Sequence, residues 1–171
     1  PTNFPLVVGT GEKSTEKTIQ NTKNAKSWGA DAALVVVPYY NKPPQRGLIA
    51  HFKAVAENGG HPVLLYNVPG RTVTTLDLES ILELSKVPQI IGIKEASGNI
   101  HLAENIHQKF GEKFILLSGD DGTYADFLRV GGHGVISVAS HILPKEFSSW
   151  RILAKEGKLN EVSIELKKQK M

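Results

Sequence analysis

Six short, nearly continuous apolar runs recur along the chain, and each gives way to a stretch with one apolar face. The runs are Leu6–Val8, Ala32–Val37, Val63–Tyr66, Ile90–Lys94, Phe114–Ser118 and Gly134–Val138. A strand that is apolar on both sides must be covered on both sides, which parallel sheets with crossover helices achieve. The repeat, about 25 residues, is the length of one βα unit. Between the runs stand helix signals. Ser14 opens a segment carrying Ile19, Ala25 and Trp28 that stops at Gly29, and residues 45–58 place Leu48, Ile49, Phe52 and Val55 on one face before Gly59-Gly60. Thr75 is the expected cap of a third helix, with Asp77 and Glu79 in its first turn, and Asn99 of a fourth that runs to Phe110. Helices are also expected over 122–129, over 145–155 and from Lys158 onward. Periodicity alone leaves a barrel and a doubly wound sheet both open.

Length and composition narrow the class. At 171 residues the chain can bury one sizeable core, yet a closed eight-stranded barrel needs roughly 250. No linker or low-complexity stretch divides it, which points to one domain. The net charge of +3 is small, and part of the excess sits in Lys167, Lys168 and Lys170. Without a basic stripe interleaved with aromatics, nucleic acid is not an expected partner. Cysteine is absent, which removes disulfides, Cys-based zinc sites and a thiol nucleophile. Pro1-Thr2-Asn3-Phe4-Pro5 is no signal peptide, and no apolar run nears the roughly 20 residues of a membrane span. A cytoplasmic protein with no membrane partner is the expectation.

In parallel α/β folds, ligands bind where the strands end. Those ends carry Tyr39-Tyr40-Asn41, Tyr66-Asn67-Val68-Pro69-Gly70-Arg71-Thr72, Lys94-Glu95-Ala96-Ser97 and Ser118-Gly119-Asp120-Asp121. Lys94 closes an apolar run. An amine partly removed from water there favours its neutral form, which a Schiff-base nucleophile requires; a lysine snorkelling to solvent is the alternative. Tyr66 closes the preceding run, and adjacent strands lie about 4.8 Å apart, so its phenol is within proton-shuttling distance of the amine unless it merely plugs the barrel mouth. Arg71 offers a planar fork for a carboxylate, or is a surface loop arginine. Lysine, phenol and arginine together suit an α-keto acid.

Four segments, Pro38-Tyr39-Tyr40-Asn41-Lys42-Pro43, residues 66–72, Gly92-Ile93-Lys94-Glu95-Ala96-Ser97-Gly98 and Gly132-His133-Gly134-Val135-Ile136-Ser137-Val138, resemble the dihydrodipicolinate synthases in order and spacing across essentially the whole chain. These enzymes belong with the N-acetylneuraminate lyases among the pyruvate-dependent class I aldolases; the arginine after Tyr66 favours the synthases. The resemblance implies a (β/α)8 TIM barrel of which this chain holds strands three to eight with their helices. Residues 1–144 would be six βα units of that barrel, and 145–171 its eighth helix and the start of a C-terminal helical region. Condensation of pyruvate, held as an imine on Lys94, with aspartate semialdehyde would give 4-hydroxy-tetrahydrodipicolinate in lysine and diaminopimelate biosynthesis. Tyr66 would relay protons, Tyr40 would complete the relay across a subunit interface, Arg71 would hold the semialdehyde carboxylate, and Gly119 and the backbone of Ile136 would line the site. No metal or organic cofactor is implied, and a homotetramer is. Another pyruvate aldolase, such as N-acetylneuraminate lyase, and a catalytically silent barrel fragment with a structural role are the competing readings.

The six-run count leaves two strands of that barrel unaccounted for, so the sequence is expected to be a portion of a longer chain. Gly9-Thr10-Gly11-Glu12 resembles a segment of the missing part but follows a different strand, and its role is not transferred. Lys13 and Lys17 stand where lysine-inhibited members carry polar or acidic groups, which implies weak or absent feedback inhibition. Gly131-Gly132-His133-Gly134 precedes a strand and reads as a tight turn, and Asp120-Asp121 is too few ligands for a divalent metal. The six histidines, with no HExxH spacing, read mostly as surface residues, and Trp28 and Trp150 as helix packing.

Overall fold

The computed structural model describes residues 4–169; Pro1, Thr2, Asn3, Lys170 and Met171, on which parts of the terminal readings fall, lie outside them. Six strands, β1 (Val7–Gly9), β2 (Ala32–Val36), β3 (Val63–Asn67), β4 (Ile90–Glu95), β5 (Ile115–Ser118) and β6 (Gly134–Val135), follow one another in chain order. Pairing is parallel at β1–β2, β2–β3 and β5–β6, with Val36 opposite Tyr66 and Ser118 opposite Val135. Helices α1 (Thr15–Ser27), α2 (Gln45–Gly59), α3 (Pro69–Thr72), α4 (Leu78–Leu84), α5 (Ile100–Phe110), α6 (Tyr124–Arg129), α7 (Pro144–Lys155) and α8 (Leu159–Lys168) fill the connections. The chain divides into two compact units, residues 1–93 and 94–171.

In the first unit α1 and α2 pack together, with Thr18, Thr22 and Ala25 of α1 and Leu48, Phe52, Val55 and Ala56 of α2 buried. Fully burying a side chain such as Phe52 contributes roughly 1.5–3 kcal/mol. The second unit closes over an aromatic group in which Phe147 of α7 stacks on Tyr124 of α6, centroids 5.8 Å apart, and tilts against Trp150 at 4.8 Å. Trp150 packs as the sequence implies. Trp28 does not: it is the C-cap of α1 and 71% exposed.

Helix starts follow side-chain capping. Ser14 accepts from the Lys17 N–H and Asn99 from the Leu102 N–H, as expected. The cap of α4 is Asp77 rather than Thr75: its carboxylate accepts from the Ser80 N–H at 2.8 Å, and Thr75 turns instead to Asn67. Strand β6 is shorter than the run that suggested it. Beyond Ile136, whose N–H still bonds the Ser118 carbonyl, the N–H groups of Val138 and Ala139 are taken by the Asp121 carboxylate at 3.1 and 2.8 Å. Nor are the histidines mostly superficial. His51 and His61 are buried, His107 and His133 half-buried, and only His101 and His141 exposed.

Candidate active site

Two groups of side chains stand at strand ends, one in each unit. In the first, a cavity of about 470 Å³ is lined by Gly9, Gly11, Leu34, Val36, Tyr39, Tyr66, Val68, Arg71 and Thr72. Of its two glycines, Gly11 has no room for a side chain: a Cβ there would meet the Val36 backbone nitrogen at 2.6 Å. Tyr66 enters from the end of β3 and Arg71 from α3, so the expected phenol and guanidinium share one pocket. Buried Asn67 holds the chain that carries Arg71, its Nδ2 donating to the Thr75 hydroxyl at 3.1 Å and its Oδ1 accepting from the Leu76 N–H at 2.9 Å. Within the loop the Thr72 hydroxyl bonds the carbonyls of Val68 and Thr74. This bracing keeps Val73 at φ 64°, a left-handed conformation that costs a β-branched residue of order 1–3 kcal/mol.

Tyr39, not singled out from the sequence, also lines the pocket. Its hydroxyl donates to Glu12 Oε2 at 3.2 Å, and the carboxylate's charge, then burial, raise its pKa, so the phenol stays a donor. Tyr40 is not brought into the cavity. It sits at φ 75°, 86% exposed, with Lys13 Nζ 5.6 Å from its ring centroid.

In the second unit Lys94, 9% exposed, is buried near the end of β4 rather than snorkelling to solvent. Its stem lies against Gly119, where a Cβ would stand 2.9 Å from Lys94 Cε, 3.2 Å from Lys94 Cγ and 2.6 Å from Ala96 Cβ. Only glycine leaves room for the lysine to pass. The Gly119 N–H donates to the Glu95 carbonyl at 2.8 Å and the Ile136 N–H to the Ser118 carbonyl at 2.9 Å, so the two expected backbone residues are held by the ends of β4 and β5. Ser118 tightens the turn beyond β5 through Asp120 and Thr123. Asp120 accepts from the Gly122 N–H and Asp121 serves the loop after β6, which are structural duties. Among the described residues no three histidine or carboxylate side chains gather as a metal site, and no helix is long and apolar enough to cross a membrane.

The model of the Dihydrodipicolinate synthetase family matches residues 1–171. The chain belongs to this family. Among its relatives, the 4-hydroxy-tetrahydrodipicolinate synthase of Bdellovibrio bacteriovorus is 54% identical over 163 residues, covering 95% of this chain and 56% of the relative. Its counterpart from Alcanivorax borkumensis is 50% identical over 146 residues, 85% of this chain and 50% of the relative. A solved structure of the chloride-inhibited dihydrodipicolinate synthase from Acinetobacter baumannii, complexed with pyruvate, superposes with a TM-score of 0.93 at 40% identity, covering 98% of this chain and 57% of that one. The dihydrodipicolinate synthase from Aquifex aeolicus gives 0.91 at 38% identity, over 96% and 56%. The chain thus spans about half the length of the synthetase-family relatives it matches. Membership supports an α/β fold of parallel strands at identities high enough to carry more than the fold.

Proposed function

We propose that the protein of which this chain is part condenses pyruvate with aspartate semialdehyde to 4-hydroxy-tetrahydrodipicolinate. The observation that carries the reading is the buried lysine Lys94, its stem against Gly119, in a chain that matches the family over its whole length. The Lys94 amine attacks the pyruvate C2 carbonyl, and loss of water leaves an imine. Removal of a C3 proton gives the enamine, whose carbon adds to the aldehyde of the second substrate. The resulting alkoxide takes a proton, and attack of the product's own amine on C2 releases Lys94. Tyr66 is the proton relay and Tyr40 completes it from a neighbouring subunit. Arg71 holds the semialdehyde carboxylate through its fork, braced by Asn67 and Thr72, while Gly119 and the Ile136 backbone line the site.

In this reading the six strands are the third to eighth of a (β/α)8 barrel, residues 1–144 are its six units, and the segment from 145 begins the eighth helix and the helical region beyond. A cytoplasmic homotetramer, weakly inhibited by lysine because Lys13 and Lys17 repel a cationic ligand, completes it. The test is turnover: the protein consumes aspartate semialdehyde only with pyruvate present, Tyr66→Phe lowers kcat by about 10²–10⁴-fold, and N-acetylneuraminate is not cleaved. Cleavage of N-acetylneuraminate with no use of the semialdehyde would overturn the assignment.

A further inference from the structure

Glu95 follows the candidate nucleophile and is 1% exposed, among the most deeply buried side chains of the described residues. Burying a carboxyl costs several kcal/mol unless hydrogen bonds offset it, and a turn between strand and helix does not need one. Successive strand residues point to opposite faces, so Glu95 does not share the face of Lys94 and cannot touch a molecule bound to that amine. Among its contacts are backbone N–H groups just beyond β4 and at the end of β5. Its Oε1 accepts a short hydrogen bond from the Ser97 N–H, fixing the first turn after β4. From there the Ser97 hydroxyl accepts from the Asn99 N–H, and Asn99 caps α5 through the Leu102 N–H. Through its own carbonyl, Glu95 accepts from the N–H of Gly119, the residue that walls the Lys94 stem.

We propose that Glu95 is a positioning residue: carboxyl and carbonyl together hold the strand end that carries Lys94 and the glycine against which its stem lies, and so set where the amine stands. This rests on the reading of Lys94 as the imine-forming lysine. Misplacing a reacting atom by about 1 Å costs on the order of a hundredfold in rate, so loosening this strand end slows imine formation while leaving pyruvate binding nearly intact.

Two variants of similar length separate the contribution. Glu95→Gln keeps an oxygen that accepts from Ser97; Glu95→Met fills the same space without an acceptor and leaves the Ser97 N–H unpaired, at a cost of about 1–3 kcal/mol. Borohydride trapping is followed over time at several pyruvate concentrations, with circular dichroism as the check on folding. Glu95→Met is expected to lower the saturating trapping rate about 10–100-fold with little change in the pyruvate concentration at half-maximal rate, and Glu95→Gln to recover most of the loss. A folded Glu95→Met that traps at the parent rate, or a Glu95→Gln as slow as Glu95→Met, overturns the positioning role. A parent that traps no pyruvate at all overturns the imine reading itself, and this inference with it.

Discussion

Replacing Gly119 by alanine tests the packing around Lys94 with a single added carbon. The new Cβ would lie 2.6 Å from Ala96 Cβ and 2.9 Å from Lys94 Cε, where ordinary contact begins at 3.4 Å. Relief therefore needs a movement of about 0.8 Å at the first contact and 0.5 Å at the second, and Ala96 has no flexible end to give. Overpacking of this kind costs about 1–3 kcal/mol, partly offset by 0.4–1 kcal/mol from the stiffer unfolded chain. A net loss of about 1–2 kcal/mol lowers Tm by roughly 2–8 °C in a domain of this size. Because the shift falls on the lysine, imine formation should suffer more than stability does, by about tenfold or more for half an ångström. Thermal melts and time-resolved borohydride trapping on the same samples read the two effects. A Gly119→Ala protein with parental Tm and parental trapping rate would refute the claim that glycine is required for the lysine to pass.

Burial lowers the His51 pKa to about 4, below an ordinary value of 6.5. The unfolded chain then binds a proton that the folded one refuses, so stability falls as pH drops from about 6.5 to 4, by roughly 3 kcal/mol in all. Urea unfolding of the parent and His51→Asn across that range should differ by this slope, and identical pH dependence would reject it. Arg71→Ala should raise the KM for aspartate semialdehyde about tenfold or more and leave pyruvate trapping unchanged; an equal loss of semialdehyde turnover and of pyruvate trapping would place Arg71 elsewhere in the chemistry. Val73→Gly removes the strain at φ 64° and should change stability by less than about 1 kcal/mol in either direction, because the relieved strain offsets the added chain entropy. A loss of several kcal/mol in chemical denaturation would mean the Val73 side chain packs on something.

Much of this was legible because strand and helix signals have local causes. The apolar runs located all six strands, and Ser14 and Asn99 marked helix starts with oxygens that do accept the expected N–H groups. Lys94 stood out because a charge ending an apolar run is chemically odd, and its burial follows. What failed depended on tertiary choices. Thr75 and Asp77 are both good caps, and Asn67, eight residues before Thr75, decides between them by binding the threonine. Residues 136–138 continue the pattern of a strand, but the Asp121 carboxylate from the loop after β5 takes the N–H groups of Val138 and Ala139. Helix α3 was hidden because Pro69-Gly70-Arg71-Thr72 carries turn residues. Tyr39 could have been found from its place at a strand end beside Tyr40, whereas its partner Glu12 lies 27 residues away and no local pattern joins them. The backbone strain at Val73 leaves no mark in composition at all.

The most direct test of the central claim is borohydride reduction in the presence of pyruvate, followed by peptide mass spectrometry. The account predicts a reduced pyruvyl adduct on Lys94 alone, abolished by Lys94→Ala. A folded protein that yields no adduct, or one that carries it on a different lysine, would contradict it.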